Sequence, residues 1–164
     1  MITNISLFTN ILTQEEGLYE KIRDNNDENA LYELLFCKSI SSKNYYHGAG
    51  YASEAVSKNN YMKHKLIDML INEKNNLEDR LLAIFNIIYD RNAKEYYYTS
   101  YEYKLLQQIL LSNWDTFLNF VKSNNRKEYI IKQVSYVIND KEDIIEDGIF
   151  NEIQVQQLEL NLHN

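Results

Sequence analysis

The sequence has 164 residues, a formal net charge of −7 at pH 7, four glycines and no proline. With 45% hydrophobic and 25% charged residues, it has the composition of a globular domain that can bury a core without disulfides or a structural metal. The negative charge argues against direct nucleic-acid binding, because it repels phosphate groups. We find neither a signal-peptide pattern nor the roughly 20 apolar residues of a membrane span, and therefore expect a cytoplasmic protein that binds no membrane.

The first forty residues are predicted to form three helices. An apolar stretch at 2–12 predicts the first. Thr13 and Glu16 match a capping box, so a second helix is expected to begin there and to end near Asp24. The polar turn that follows supplies an N-cap for a third helix over about 28–40.

The segment 41–60 is the hardest to interpret, because loop-forming residues precede a run of tyrosines and glycines that ends at Gly50. The glycines of this run are expected to allow a turn or a close backbone approach. A short helix with a small-residue face is then predicted by Ala52, Ala55 and Val56. Another amphipathic helix is predicted over about 61–73.

The stretch from Asn76 to Asn125 predicts two long helices joined by a tyrosine-rich connection. The first helix has five apolar residues on one face: Leu77, Leu81, Ile84, Phe85 and Ile88. A capping box from Thr99 to Glu102 marks the start of the second helix. Another cap signal at Ser112 predicts that this second helix is interrupted.

The last forty residues change in character. A helix is predicted over about 126–138 and a helical turn at 143–148, whereas the alternation of apolar and polar residues over 153–162 favours a strand or an extended tail. The sequence therefore predicts an all-α single-domain helical bundle, or a short helical array, of about seven helices with a short extended C-terminal segment. We assign 1–138 to the helical domain and 139–164 to an acidic segment packed on the same domain.

We recognise no catalytic, metal-binding or phosphate-binding pattern. The three histidines and Cys37 are not spaced as metal ligands on one helix face, so we expect no metal and no cofactor. His47 and the glycines after it match part of an oxyanion-hole loop, but neither a nucleophile elbow nor a parallel sheet accompanies them. We therefore expect a protein that is not an enzyme, and keep an unrecognised site around His47 as an alternative.

The fourteen tyrosines are the most informative feature, because they cluster. The larger cluster lies in the connection of the central helix pair, where a core cannot absorb every ring, and tyrosine is enriched at protein interfaces. We therefore predict a partner-binding surface with an acidic rim, formed by Tyr45, Tyr46, Glu95, Tyr96, Tyr97, Tyr98, Tyr101 and Glu102. The alternative is a tyrosine excess that reflects an AT-rich genome.

The leading functional hypothesis is a non-catalytic acidic protein-binding module. It would be an inhibitor, immunity or anti-defence protein that masks a basic surface of a toxin, nuclease or defence effector. Past Ile138, Lys141 is the only lysine or arginine against the carboxylates of Asp140, Glu142, Asp143, Glu146, Asp147, Glu152 and Glu159. The alternative is a structural subunit that self-associates by adding the 153–162 strand to a neighbour. The sequence predicts no particular oligomeric state.

Overall fold

The computed structural model describes the backbone of residues 2–38, 48–123 and 127–163, and the side chains of 14–38, 48–123 and 130–163. These residues form ten α-helices and one π-helical segment, Ala93–Tyr97. The α-helices are α1 (Ile2–Asn25), α2 (Glu28–Leu35), α3 (Gly48–Val56), α4 (Asn60–Ile71), α5 (Leu77–Tyr89), α6 (Ser100–Ser112), α7 (Trp114–Ser123), α8 (Lys127–Asn139), α9 (Lys141–Glu146) and α10 (Glu152–His163). In the described part of the chain there is no strand, and no helix has both the length and the apolarity needed to cross a membrane.

The all-α prediction is confirmed, but the expected number of about seven helices is too low. The segments after α8 form two helices of their own, α9 and α10. The predicted second helix of the central pair is divided into α6 and α7, with Asn113 between them, as the cap signal at Ser112 indicated. Each division adds a helix without lengthening the chain.

The N-terminal helix boundaries differ from the prediction. α1 continues through Thr13 and Glu16, so the predicted helix start at Thr13 is wrong. A capping-box sequence permits a helix to begin but does not end one already formed, and α1 contains no proline. α2 ends at Leu35 and not near residue 40, because Cys37 has a φ of 53°, which a right-handed helix does not allow.

α5 is the central helix of the fold. Every side chain from Arg80 to Ile88 is buried, and α3, α4, α6 and α7 pack around it. The ring of Phe85 lies 4.9 Å from that of Phe117 and 5.4 Å from that of Phe150, measured between centroids. The predicted apolar face of this helix is thus confirmed as core, although α5 is buried on its other faces as well.

The C-terminal segment is a helix, so the prediction of a strand over 153–162 is wrong. Asn151 and Gln154 form a reciprocal cap, in which the backbone N–H of each residue donates to the side-chain oxygen of the other at 2.9 and 2.8 Å. Trp114 Nε1 donates to Gln157 Oε1 at 2.7 Å and ties α10 to α7. A local cap and a tertiary hydrogen bond therefore both support the helix.

The apolar residues of α10 belong to two faces of this one helix. Val155 and Leu158 are buried where α10 packs against α7 and α8. Ile153 and Leu160 are exposed on another face. In the sequence, the residues of these two faces together alternate with polar residues, which gives the period of two that is typical of a strand.

Candidate partner-binding surface and acidic cleft

Two buried tyrosines fix the connection between α5 and α6 to the core. The hydroxyl oxygens of Tyr98 and Ser53 lie 2.7 Å apart, and Ser53 donates to the carbonyl oxygen of Ala49 at 2.9 Å. Because a serine has a single hydroxyl hydrogen, Tyr98 is the donor to Ser53. Tyr103 donates to the carbonyl oxygen of Ile88 at 3.0 Å. Burial raises the pKa of both phenols, to about 12 for Tyr103, so both stay neutral.

Tyr96 and Tyr101 are the exposed rings of the predicted surface. Their exposed fractions are 72% and 77%, and Glu95 beside Tyr96 is also exposed. The prediction that Tyr98 faces outward is wrong, because its ring is buried against α3, where Ser53 provides a hydrogen-bond acceptor. The exposed rings of Tyr96 and Tyr101 therefore lie on either side, in sequence, of the buried Tyr98.

Tyr97 and Glu102 both contact other residues of the chain. Lys63 Nζ lies 3.6 Å from Glu102 Oε1 and donates to the carbonyl oxygen of Tyr97 at 3.4 Å. Glu102 also completes the capping box, since the backbone N–H of Thr99 donates to its Oε1 at 2.8 Å and its own N–H donates to Thr99 Oγ1 at 3.1 Å. Of the carboxylates predicted for the rim, Glu102 is therefore used internally, Glu95 faces solvent and Asp90 is half-buried.

The two cations of this connection are held by α9 and the residue after it. Arg91 Nε lies 3.0 Å from Asp147 Oδ2, and its Nη2 lies 3.6 Å from Asp143 Oδ2. Lys94 Nζ donates to the carbonyl oxygen of Asp147 at 3.0 Å. The charge of Arg91 is thus paired with carboxylates at the surface, whereas Lys94 bonds a neutral carbonyl group.

A second tyrosine group, which the sequence did not suggest, is influenced by the charge of Glu54 of α3. Tyr19 of α1, Tyr51 of α3 and Tyr97 lie within electrostatic reach of this carboxylate. Burial, and after it the charge of Glu54, raises the pKa of Tyr19 and Tyr97; for Tyr51, burial comes first, then Glu15, then Glu54. The group joins three elements that are distant in sequence, so no local pattern predicts it.

Glu15 is a buried carboxyl group on the inner side of α1. Its exposed fraction is 5%, and its Oε1 has no hydrogen-bond partner among the described residues. Burial, with a smaller effect from the charge of Glu16, raises its pKa to about 7. The sequence indicated only that adjacent carboxylates on a helix diverge, which does not reveal which one is buried.

Three residues singled out from the sequence, Tyr45, Tyr46 and His47, lie outside the described residues. The predicted contribution of the two tyrosines to the partner-binding surface therefore stays a prediction. Gly48, directly after them, does show the close backbone approach expected of these glycines. A β-carbon there would overlap the carbonyl oxygen of Leu34 and the thiol of Cys37.

A cleft of about 440 Å³ lies between α3, α5, α8 and α9. Gly50 of α3 lines it, together with the amide side chains of Asn86 and Gln133, whose exposed fractions are 8% and 3%. The charged residues of its lining are Asp90, Arg91, Asp140 and Asp143. We call this feature the acidic cleft. Its residues come from separate elements, and the sequence indicated only that the 140–147 region is rich in acids.

Tyr89 also lines the acidic cleft, and its hydroxyl donates to Asp140 Oδ2 at 3.3 Å. Burial, and after it the charge of Asp140, raises the pKa of Tyr89 to about 12, so the phenol stays neutral at physiological pH. Within the part of the chain that the structure describes, no three His, Cys, Asp or Glu side chains come together as a metal site requires. The acidic cleft therefore presents dispersed carboxylates and not a compact ligand set.

The chain matches no protein-family model, no curated protein and no solved structure. We therefore infer its function from the geometry and charge of its own side chains.

Proposed function

We propose that this protein is a non-catalytic acidic binding protein that masks a basic surface of another protein, as an inhibitor, immunity or anti-defence protein does. The observation that carries the proposal is the pair of exposed rings, Tyr96 and Tyr101, on a connection that buried Tyr98 and Tyr103 hold to the core. Large exposed aromatic rings on a fixed support are typical of binding surfaces.

The rigidity of the support strengthens this interpretation. Binding costs free energy whenever flexible side chains or loops must be ordered in the complex. Tyrosine has few rotatable bonds, and here the backbone that carries the two exposed rings is fixed by the Tyr98–Ser53 hydrogen bond and by the Thr99–Glu102 capping box. Little ordering is therefore needed when a partner docks.

The charge of the molecule indicates the chemistry of the partner. The net charge is −7, and the acidic stretch 140–147 lies against the connection through Arg91. A basic surface, such as the nucleic-acid-binding face of a nuclease, toxin or defence effector, would be attracted to this region and its encounter would be accelerated. The single cysteine is in keeping with action in the reducing cytoplasm.

Affinity capture with matched variants tests the proposal. The wild-type chain, a Tyr96→Ser/Tyr101→Ser double variant and a control Tyr61→Ser variant are immobilised and exposed to an extract of the cell of origin. Tyr61 is a suitable control because it is exposed on α4. We expect a basic partner that the wild type and the control retain and that the double variant binds about 100-fold more weakly, as loss of interface anchors does.

The captured partner is then purified and its association measured at increasing salt. We expect the on-rate to fall as salt rises, and the partner's own activity to be inhibited by the wild-type chain. Equal binding by the double variant, or a salt-independent on-rate to a partner without a basic face, would contradict the proposal.

Self-association is a second candidate, which the exposed residues of α10 favour. Ile153 and Leu160 are seven positions apart, so they lie on the same face of the helix, and both are exposed. A second copy could cover this face by helix packing, which replaces the strand addition expected from the sequence. Analytical ultracentrifugation of the wild type and an Ile153→Ser/Leu160→Ser variant tests this. A dimer that the variant abolishes supports self-association, and a wild type that stays monomeric at the highest concentration measured contradicts it.

A further inference from the structure

We propose that α1 is a pH-sensitive strap, which packs on α2 and α3 while Glu15 is protonated and opens locally when Glu15 ionises. This inference goes beyond the proposed function, because it concerns a conformational change of α1 and not the surface formed by Tyr96 and Tyr101. The observation that carries it is the position of the Glu15 side chain in the contact between α1 and its neighbours.

Glu15 lies on the buried face of α1. Among residues 14–25, the part of α1 whose side chains the structure describes, the buried residues are Glu15, Leu18 and Ile22. Their spacing of three and four positions places them on one face of the helix, and α1 packs against α2 and α3. One of the three side chains that this part of α1 buries is therefore ionisable, at a position where an amphipathic helix normally has an apolar residue.

The carboxyl group of Glu15 is buried without a compensating partner. The residue is 5% exposed, and its Oε1 accepts no hydrogen bond. Within the part of the chain that the structure describes, no cation forms an ion pair with it. A buried carboxylate costs free energy unless a cation or hydrogen-bond donors compensate its charge, whereas a neutral carboxyl group costs much less. The packing of α1 therefore favours the protonated form of Glu15.

The ionisable groups around Glu15 supply no positive charge. Burial raises the pKa of Glu15 to about 7, and the charge of the adjacent Glu16 raises it further. On α3, Tyr51 lies within electrostatic reach; burial raises the pKa of its phenol, and the charges of Glu15 and Glu54 add to this effect. Among the described residues of α2, no charged side chain interacts with Glu15. Ionisation therefore places an uncompensated charge in the contact.

The other end of this part of α1 is fixed, so opening would begin at the Glu15 end. Asn59, the N-cap of α4, donates from Nδ2 to Asn26 Oδ1 at 2.7 Å, directly after α1 ends. Asn26 has a φ of 52°, at which the chain turns out of the helix. We assign the hinge to this turn. Outward movement of the Glu15 end would expose the faces of α2 and α3 that α1 covers.

Amide hydrogen exchange of the full chain at a series of pH values, corrected for intrinsic exchange, tests the proposal. We expect the opening constant of the α1 amides from Leu18 to Arg23 to rise about tenfold between pH 6 and pH 8, because opening returns Glu15 to its ordinary pKa of 4.5. At pH 8 it should exceed that of the α5 amides by at least about tenfold, and low urea should hardly change it, since local opening exposes little surface.

Matched variants assign the effect to one carboxyl group. Glu15→Gln cannot ionise and should abolish the pH dependence of α1 opening, whereas Glu20→Gln, at an exposed position of α1, should retain it. Glu15→Met guards against weaker packing of a buried amide, and should keep α1 closed at both pH values. Equal opening constants of the α1 and α5 amides, no rise in the wild type, or a tenfold rise that persists in Glu15→Gln and Glu15→Met would each overturn the proposal.

Discussion

The hydroxyl of Tyr98 donates a 2.7 Å hydrogen bond to Ser53 Oγ, across 45 positions of sequence and inside the core. This contact holds the connection between α5 and α6 to α3. It separates Tyr98, which is buried, from Tyr96 and Tyr101, which are exposed. The surface that we propose for partner binding depends on it.

Tyr98→Phe is expected to lower the free energy of unfolding by about 1 kcal/mol, because it removes one buried hydrogen bond while Ser53 keeps its bond to Ala49. Ser53→Ala should cost more, about 1 to 3 kcal/mol, since it leaves the buried Tyr98 hydroxyl without its acceptor. Urea denaturation of both variants and of the double variant measures the coupling free energy between Tyr98 and Ser53. A coupling near zero would contradict the role given to this contact.

Leu158→Ala is expected to destabilise the protein by about 2 to 5 kcal/mol, because Leu158 is fully buried between α10 and its neighbours. Leu160→Ala should change stability by less than about 0.5 kcal/mol, since Leu160 is exposed. Denaturation midpoints at constant m-value measure both effects. In a strand these two leucines would share one face, so equal costs would contradict the helical C-terminus.

Stability is expected to fall as the pH rises from about 4.5 to 7, because of Glu15. Its pKa is raised from 4.5 to about 7 in the folded state, which therefore holds the proton more tightly than the unfolded chain. Below about pH 4.5 the carboxyl is neutral in both states and costs nothing, whereas above pH 7 burial of its charge costs up to about 3 kcal/mol.

Glu15→Gln should remove this loss, so its stability relative to the wild type should rise between pH 5 and pH 8. Denaturation at a series of pH values measures the difference. Glu20→Gln removes the same charge from an exposed position of α1 and should show little pH dependence relative to the wild type. A parallel pH dependence of Glu15→Gln and wild type would mean that Glu15 is charged at little cost in the folded state.

Gly17→Ala is expected to raise the free energy of unfolding by about 0.5 to 1 kcal/mol, because Gly17 lies inside α1 and open space surrounds its missing β-carbon. Gly48→Ala should instead lower it by about 1 kcal/mol or more, since its β-carbon would overlap Leu34 and Cys37. Thermal or urea unfolding distinguishes the two. If both changes stabilised the protein, α2 and α3 would not approach as closely as described.

The sequence alone was sufficient for those features that depend on neighbouring residues. The periodicity of Leu81, Ile84 and Phe85 predicted a buried helix face, and all three are buried in α5. The capping box of Thr99 and Glu102 joins positions three apart, so its hydrogen bonds are encoded within four residues. Asn151 and Gln154 form the same kind of cap, so the start of α10 is also encoded within four residues.

Only the tertiary structure decided which tyrosines are exposed and where the acidic cleft forms. Tyr96 and Tyr98 are the same residue type two positions apart. Tyr96 is exposed and Tyr98 is buried, because only Tyr98 forms a hydrogen bond with Ser53 of α3. The acidic cleft likewise depends on Gly50 and Asp143 reaching the same place from opposite halves of the chain. Periodicity and capping act over a few residues, whereas burial and charge compensation depend on which distant elements pack together, and this sequence carries no local pattern that specifies those pairings.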